Sequence, residues 1–417
     1  MISHKYFYVQ EKKMKLIKWR EPAGETVSTI FTGDFSPREI NADDVAVRAE
    51  EIASLIKPAF AESDLRICQL ECAVTRQDTP IAKSGPNHRS HEGCLKFLQA
   101  LGINIALLAN NHTGDYGKEG LSDTLDNCRK AGMKTVGAGM DSKSANAPLI
   151  LTCNGLKIAI INQAEHEFGI AEDDTPGCAG LDLDKLQESI CDLKKECDLV
   201  FVAFHGGHEH YPFPSPELTK RCRFAAKSGA DVVFNCHTHC PCGYEIYNGV
   251  PIVYSPGNFY FPPRPTSLPC WFIGYLAKFH CDKKGAFALE LIPYYNHQDK
   301  IKPLPEKDEE LFFQYLEKLC LVLQDPERLN KLFDSWSSLY GAEGYLATFY
   351  NLKKPEAWEP CANDETWLGI RNIFCCESHN ELLRHTVQLI EKGLLAEAKK
   401  RFDEISALQK PDWVSGS

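Results

Sequence analysis

Polar side chains able to bind a cation follow apolar runs at several separate points of the chain: Asp34, Glu71, Asn110-Asn111-His112, His205 and His237-Thr238-His239. Carboxylates, an amide oxygen and imidazoles are together the oxygen and nitrogen donors suited to Zn, Mn or Fe. Taken singly, each has an ordinary explanation. A carboxylate at a strand end often caps the next helix, and an isolated His-x-His is often a chance surface pair. Their recurrence favours convergence on one site holding one or two divalent ions. In an extended segment residues i and i+2 share a face, so His237 and His239 are expected to point at one ion or at two neighbouring ions.

Three thiols, Cys236, Cys240 and Cys242, surround the histidine pair in CHTHCPC. A structural zinc site usually needs two separated ligand pairs, and no second pair is placed to complete one. Cys375-Cys376, far along the chain, reads as buried core rather than a redox centre.

The elements that must position these residues alternate. Thr26 to Asp34 and Asp64 to Glu71 read as strands with a helix between them near Asp43 to Glu62. A helix near Gly93 to Leu101, a strand at Asn104 to Ala109 and a helix near Lys118 to Ala131 come next. Pro148 to Asn162 reads as a hairpin turning at Asn154-Gly155. After it come a helix at Leu183 to Glu196, a strand at Asp198 to Phe204, a helix at Pro216 to Ser228 and a strand at Asp231 to Asn235. This order predicts an α/β protein with a largely parallel sheet. Residues Tyr244 to Tyr254 and Trp271 to Pro293 add antiparallel strands, which makes the sheet mixed. In open α/β sheets ligands bind beyond the carboxyl ends of the strands, where the polar residues lie. A charged, proline-containing stretch near Gln298 to Glu310 marks a boundary, and the chain beyond it reads as helical.

The reading divides the chain into an N-terminal extension (1–25), an α/β domain (26–300) and a helical C-terminal region (301–417). The 417 residues are 43% hydrophobic and 25% charged, values typical of folded globular proteins and unlike long disorder. A net charge of −11 disfavours nucleic acid and anionic membrane as partners. No signal-like or membrane-spanning apolar stretch is present. With 18 cysteines and no such signal, a cytoplasmic protein with reduced thiols is expected.

The ordered blocks GD (Gly33-Asp34), QLE (Gln69 to Glu71), ANNH with DYG (Ala109 to Gly117), HGGHE (His205 to Glu209), HTH (His237 to His239) and YSPGNFYF (Tyr254 to Phe261) resemble the CapA family. That family takes its name from poly-γ-glutamate capsule synthesis. The resemblance covers about residues 27–262. It implies a calcineurin-like metallophosphoesterase β-sandwich flanked by helices, with a metal site at one edge. It makes Asp34, Glu71, Asn111, His205, His237 and His239 the metal ligands, Glu71 standing where metallophosphoesterases carry a bridging aspartate. His112 falls at the position of the acid. Ser36 departs from those enzymes, which carry histidine there, so one of two ion sites is expected to be weaker or empty.

Two further residues enter with the family pattern. Glu209 matches an HxGxE arrangement and is expected to support a ligand or touch substrate. Asp115 either orients His112 or caps the following helix. The implied activity is hydrolysis of a phosphoester or a γ-glutamyl-type amide by a metal-activated water, on a small or oligomeric acidic substrate. The alternative is a non-catalytic accessory protein serving a synthase or ligase partner.

Overall fold

The computed structural model describes residues 7–11, 14–263, 267–297, 300–350 and 365–414. Two β-sheets pack face to face. Among the described residues the larger has ten strands, and its central strand Thr26–Phe35 runs parallel to Leu65–Leu70, which in turn pairs in parallel with Ile105–Leu107. On its other side Thr26–Phe35 pairs antiparallel with Ile273–Asp282, the first arm of a long hairpin completed by Gly285–His297. The second sheet has six strands, with Leu156–Ala164, Leu199–His205 and Val232–Cys236 adjacent and parallel.

Alternation within the strands explains the layering. Inward-facing Phe31, Ile67, Ile158, Ile160, Phe201, Phe234 and Phe279 make one core between the sheets. The Phe31 ring lies 4.6 Å from that of Phe234 and 5.5 Å from that of Phe279. Outward-facing Val200, Val202, Phe204 and Val233 are covered by Leu186, Ile190, Leu218 and Cys222 of the helices Leu183–Glu196 and Pro216–Ser228. A third cluster, with Val45, Ile52, Phe97, Leu98 and Leu121, covers the outer face of the larger sheet. The result is a β-sandwich flanked by helices, an α/β architecture.

The hairpin read from Asn154-Gly155 forms between Leu149–Cys153 and Leu156–Ala164, with both turn residues at positive φ (47° and 80°). Helices Leu183–Glu196 and Pro216–Ser228 begin and end at the residues expected, each started by a side-chain cap, Asp182 and Ser215. The long helix expected near Asp43 to Glu62 is shorter: it runs Glu39–Ala53, followed by a separate short turn at Lys57–Phe60 with proline in its first turn. Before residue 26, strands Phe7–Glu11 and Met14–Lys18 pair with each other, and the latter joins the larger sheet beside Gly285–His297. That segment is therefore woven into the sheet.

Helical structure resumes at Glu306–Leu323, whose Phe312, Tyr315, Leu316 and Leu319 sink into the inter-sheet cluster. Residues 298–299, within the stretch read as a boundary, lie outside the described residues. Farther on, Glu381 of the helix Glu377–Glu391 accepts from Ser215 Oγ at 2.6 Å and from Glu217 N at 3.0 Å. This side of the helical region rests on the start of Pro216–Ser228.

Candidate metal centre

Parallel pairing brings five chain segments to one edge of the sandwich. Asp34 is the penultimate residue of Thr26–Phe35, Glu71 follows Leu65–Leu70, His205 ends Leu199–His205, and His237 follows Val232–Cys236. Asn111 and His112 lie just beyond Ile105–Leu107. Close backbone approach is needed where the strand Asn258–Tyr260 comes in beside Thr26–Phe35 in the larger sheet. A Cβ on Gly33 would fall 1.7 Å from the Gly257 carbonyl oxygen, so only glycine fits before Asp34.

The ligand atoms fall into two groups that share Glu71. One donor atom each from Asp34, Glu71 and His239 lie within 4.8 Å of one another, and so do those from Glu71, His205 and His237. His205 Nε2 is 3.1 Å from His237 Nδ1, 3.2 Å from Asn111 Oδ1 and 3.7 Å from Glu71 Oε1. On the other side His239 Nε2 is 3.8 Å from Glu71 Oε1, and its Nδ1 is 3.7 Å from Asp34 Oδ2. The six residues expected as ligands are thus brought together.

The two histidines of HTH reach their positions differently from the extended-strand expectation. His237 and His239 have φ of 111° and 56°, a sharp turn in a backbone region that non-glycine residues seldom occupy. The turn aims each ring at a different group. Such strain is characteristic of sites the surrounding fold holds in place.

Both Glu71 oxygens, Asp34 Oδ1 and His205 Nδ1 are buried without a hydrogen-bond partner. Orphaned buried carboxylate oxygens are costly unless a cation meets them. Burial pushes the Asp34 carboxyl up to about 6, and burial together with Asp34 and Glu209 lifts Glu71 well above the usual carboxylate range. Burial likewise drives the His205 imidazole well down and that of His239 to about 3. Burial also acts downward on His237, yet the carboxylates of Glu167, Glu209, Glu165 and Asp34 outweigh it and lift that ring. Neutral imidazoles at His205 and His239 beside buried carboxylate oxygens without partners are what a divalent cation requires, and the same cation would displace the proton that the carboxylates hold on His237, so the residues present fit the ion.

Beside this set His112 Nδ1 lies 2.7 Å from Asp115 Oδ2. Asp115 also accepts from Lys83 Nζ at 2.6 Å and from the His88 amide at 2.6 Å. The following helix Gly117–Lys130 has no side-chain cap at its start, so Asp115 faces His112. Glu209 lies at the mouth with its side chain 47% exposed, 3.9 Å from His210 Nε2. It is the expected residue set farthest toward solvent.

Four supporting residues were not expected. Lys83 is buried, donating also to the Asn111 carbonyl at 2.9 Å. The His88 ring stacks on that of His112 at 3.9 Å. Asn258, legible in the sequence only as a turn former, places Oδ1 3.0 Å from His239 Nδ1 and donates to the His239 carbonyl at 3.2 Å. Glu167 Oε1 lies 3.6 Å from His237 Nε2, and Glu167 Oε2 accepts from Asn111 Nδ2 at 3.4 Å. Outer partners of this kind fix the orientation of ligating rings and amides. The thiols near HTH turn inward instead: Cys242 Sγ lies 3.7 Å from the Tyr211 carbonyl and Cys240 Sγ 3.9 Å from Thr238 Oγ1.

The fold and site define a two-sheet α/β protein with a carboxylate–histidine centre at the sandwich edge. Residues 28–263, over half of the chain, match the family described as "Bacterial capsule synthesis protein PGA_cap", and the chain belongs to that family. It is 28% identical over 304 residues to the "PGA biosynthesis protein CapA" of Bacillus subtilis (strain 168), a match covering 72% of this chain and 79% of that protein. Identity to the "Capsule biosynthesis protein CapA" of Bacillus anthracis is 30% over 219 residues, 51% of this chain and 53% of the relative. A "Probable polyglutamine synthesis accessory protein" of Mycobacterium tuberculosis is 28% identical over 210 residues, 47% of this chain and 55% of that one. Among solved structures, a 5'-nucleotidase precursor from Thermus thermophilus aligns at 16% identity and a TM-score of 0.38, covering 69% of this chain and 58% of that one. A likeness of that size carries no argument.

Among the described residues, no helix is long and apolar enough to cross a membrane.

Proposed function

We propose that this chain is a metal-dependent hydrolase that acts in making a poly-γ-glutamate capsule or a related polymer, cleaving a phosphoester or a γ-glutamyl-type amide. The observation that carries the reading is Glu71: a fully buried carboxylate with no hydrogen-bond partner, shared by two groups of ligand atoms. One or two divalent ions held there by Asp34, Glu71, Asn111, His205, His237 and His239 would supply Lewis acidity and a water acidic enough to react near neutral pH. His112 gives the leaving group its proton from Nε2. Asp115 holds Nδ1 of the same ring and steadies its protonated form, while Lys83 anchors Asp115. Glu209, half exposed beside the centre, makes contact with substrate in this reading. The name borne by the relative from Bacillus subtilis supports the polymer assigned, and that of the relative from Bacillus anthracis supports a role in making a capsule.

A second reading, an accessory protein without catalysis that serves a synthase or ligase, is favoured by Ser36. Its buried hydroxyl stands where the resemblance to metallophosphoesterases calls for histidine, and it has no hydrogen-bond partner. The relative from Mycobacterium tuberculosis carries an accessory name. Two variants separate the readings. His112→Ala should keep its metal and lower turnover on a panel of phosphoesters and γ-glutamyl peptides by about 10²–10⁴-fold, whereas His237→Ala should lose metal. Unchanged polymer production in cells carrying either variant would select the accessory reading.

A further inference from the structure

The loop after Leu156–Ala164 and the start of the helix Glu377–Glu391 meet beside His237, and they carry a second set of donors. One ligand atom each from Glu167, Cys376 and His379 lie within 4.8 Å of one another. Cys376 is the N-cap of that helix and His379 is three positions on, a spacing that sets both side chains on one face. Cys376 is 1% exposed. The Tyr345 hydroxyl meets His379 Nδ1, the kind of outer contact that orients a ligating imidazole and leaves Nε2 for an ion. Glu167 faces His237 and Asn111 at 3.6 and 3.4 Å, and each of its oxygens has a second lone pair to offer.

We propose that Glu167, Cys376 and His379 form a further cation site, selective for borderline ions of the Zn²⁺ and Fe²⁺ class. A thiolate, an imidazole and a carboxylate are a donor set that Mg²⁺ and Ca²⁺ do not favour. On binding, a metal–sulfur bond forms at Cys376, its S–H bond breaks, and the proton leaves to solvent; nothing is oxidised or reduced. Without the ion the thiol rests against Glu165 Oε2 at 3.4 Å, and that contact is the competing explanation for the cluster. Arg221 and the Ser378 hydroxyl hold the other oxygen, Oε1, and the Ser378 amide reaches Oε2 at 3.4 Å, so the carboxylate keeps partners on both oxygens when the thiol turns to an ion. The ion would tie the helical region, which lies outside the matched residues 28–263, to the His237 side of the main centre through Glu167. The proposal stands apart from the hydrolase reading, since no step of that chemistry uses this site.

Co²⁺ is the probe. Added to the metal-stripped full-length protein, it should give a thiolate-to-cobalt charge-transfer absorption in the near ultraviolet, and equilibrium dialysis should count one ion per chain more than in Cys376→Ser. His379→Ala should weaken the same absorption. In Asp34→Asn the absorption should persist while main-centre ions are lost, so failure of one site is told apart from failure of the other. No absorption in the wild-type protein, absorption that survives in Cys376→Ser, or equal ion counts in the two would overturn the proposal and leave a docking contact. The first of these outcomes needs no variant to fold.

Discussion

Replacing Glu165 with glutamine tests how the helical region is held to the sandwich. Its Oε1 lies 2.6 Å from Arg221 Nη1, with side chains only 2% and 7% exposed. Ser378, from the helix Glu377–Glu391, donates to the same oxygen at 2.7 Å. Burial opposes the charge on Glu165, yet Arg221 and Ser378 outweigh it and bring the carboxyl from 4.5 down to about 2. At about 1.4 kcal/mol per unit, that is roughly 3 kcal/mol of coupling between the charge and the folded state. Breaking a buried pair by removing one partner typically costs about 3–5 kcal/mol, because the other charge is left uncompensated. Glu165→Gln and Arg221→Met are therefore each expected to lower stability by about 3 kcal/mol at pH 7, and Glu165→Gln with Arg221→Met by less than the sum. Urea unfolding gives all the values. Because the folded pKa is depressed, the contribution is complete above 4.5 and is lost as pH falls toward 2, so the wild-type advantage should shrink across that window. Additive losses, or single losses below about 1 kcal/mol, the usual worth of an exposed pair, would refute the argument.

Gly33→Ala should cost about 1–3 kcal/mol and displace Asp34, because its Cβ would overlap the Gly257 carbonyl oxygen; thermal melting with a metal titration checks both effects. Asn258→Ala should weaken metal affinity about 10–100-fold and cost about 1–3 kcal/mol of stability, since it removes the contact on the His239 ring and leaves the buried His239 and Trp271 carbonyls without its amide; isothermal titration with Zn²⁺ and thermal melting read the two effects. Asp282 accepts from Arg20 at 2.6 and 2.7 Å and from two backbone amides; burial opposes its charge, but these contacts bring it down to about 2. Its contribution is present above the ordinary 3.8 and lost toward pH 2, so Arg20→Met should begin acid unfolding at higher pH, followed by circular dichroism.

How much of this was legible in the sequence depends on whether the determinant is local. Helices Leu183–Glu196 and Pro216–Ser228 carry their own caps and apolar stripes, and their ends could be read directly. The six candidate ligands could be read because parallel strands put their carboxyl ends on the same edge, and donors at those ends are brought together there. Strands Phe7–Glu11 and Met14–Lys18 are short and charged, and they join the sheet because Met14–Lys18 pairs with Gly285–His297, more than 260 residues away. A long contact of that kind leaves no periodic trace beyond a few alternating residues.

The same distinction separates the ligands from the residues that hold them. His237 announces itself by its neighbours, but Glu167 reaches it from a loop whose sequence, EHEFG, reads as an ordinary polar turn. Gly206 shows how the link is built. A Cβ there would fall 2.5 Å from the Glu165 carboxylate carbon, so the glycine in HGGHE makes room for a side chain from the adjacent strand's loop as well as for the turn itself. Glu165 then reaches Ser378 across 213 positions, and His166 reaches Glu377 at 2.7 Å across 211. Three consecutive residues, Glu165, His166 and Glu167, thus face Ser378, Glu377 and the metal centre in turn. This tripeptide joins the helical region to the candidate ligands, and a change in either would be felt by the other through side chains that carry charge.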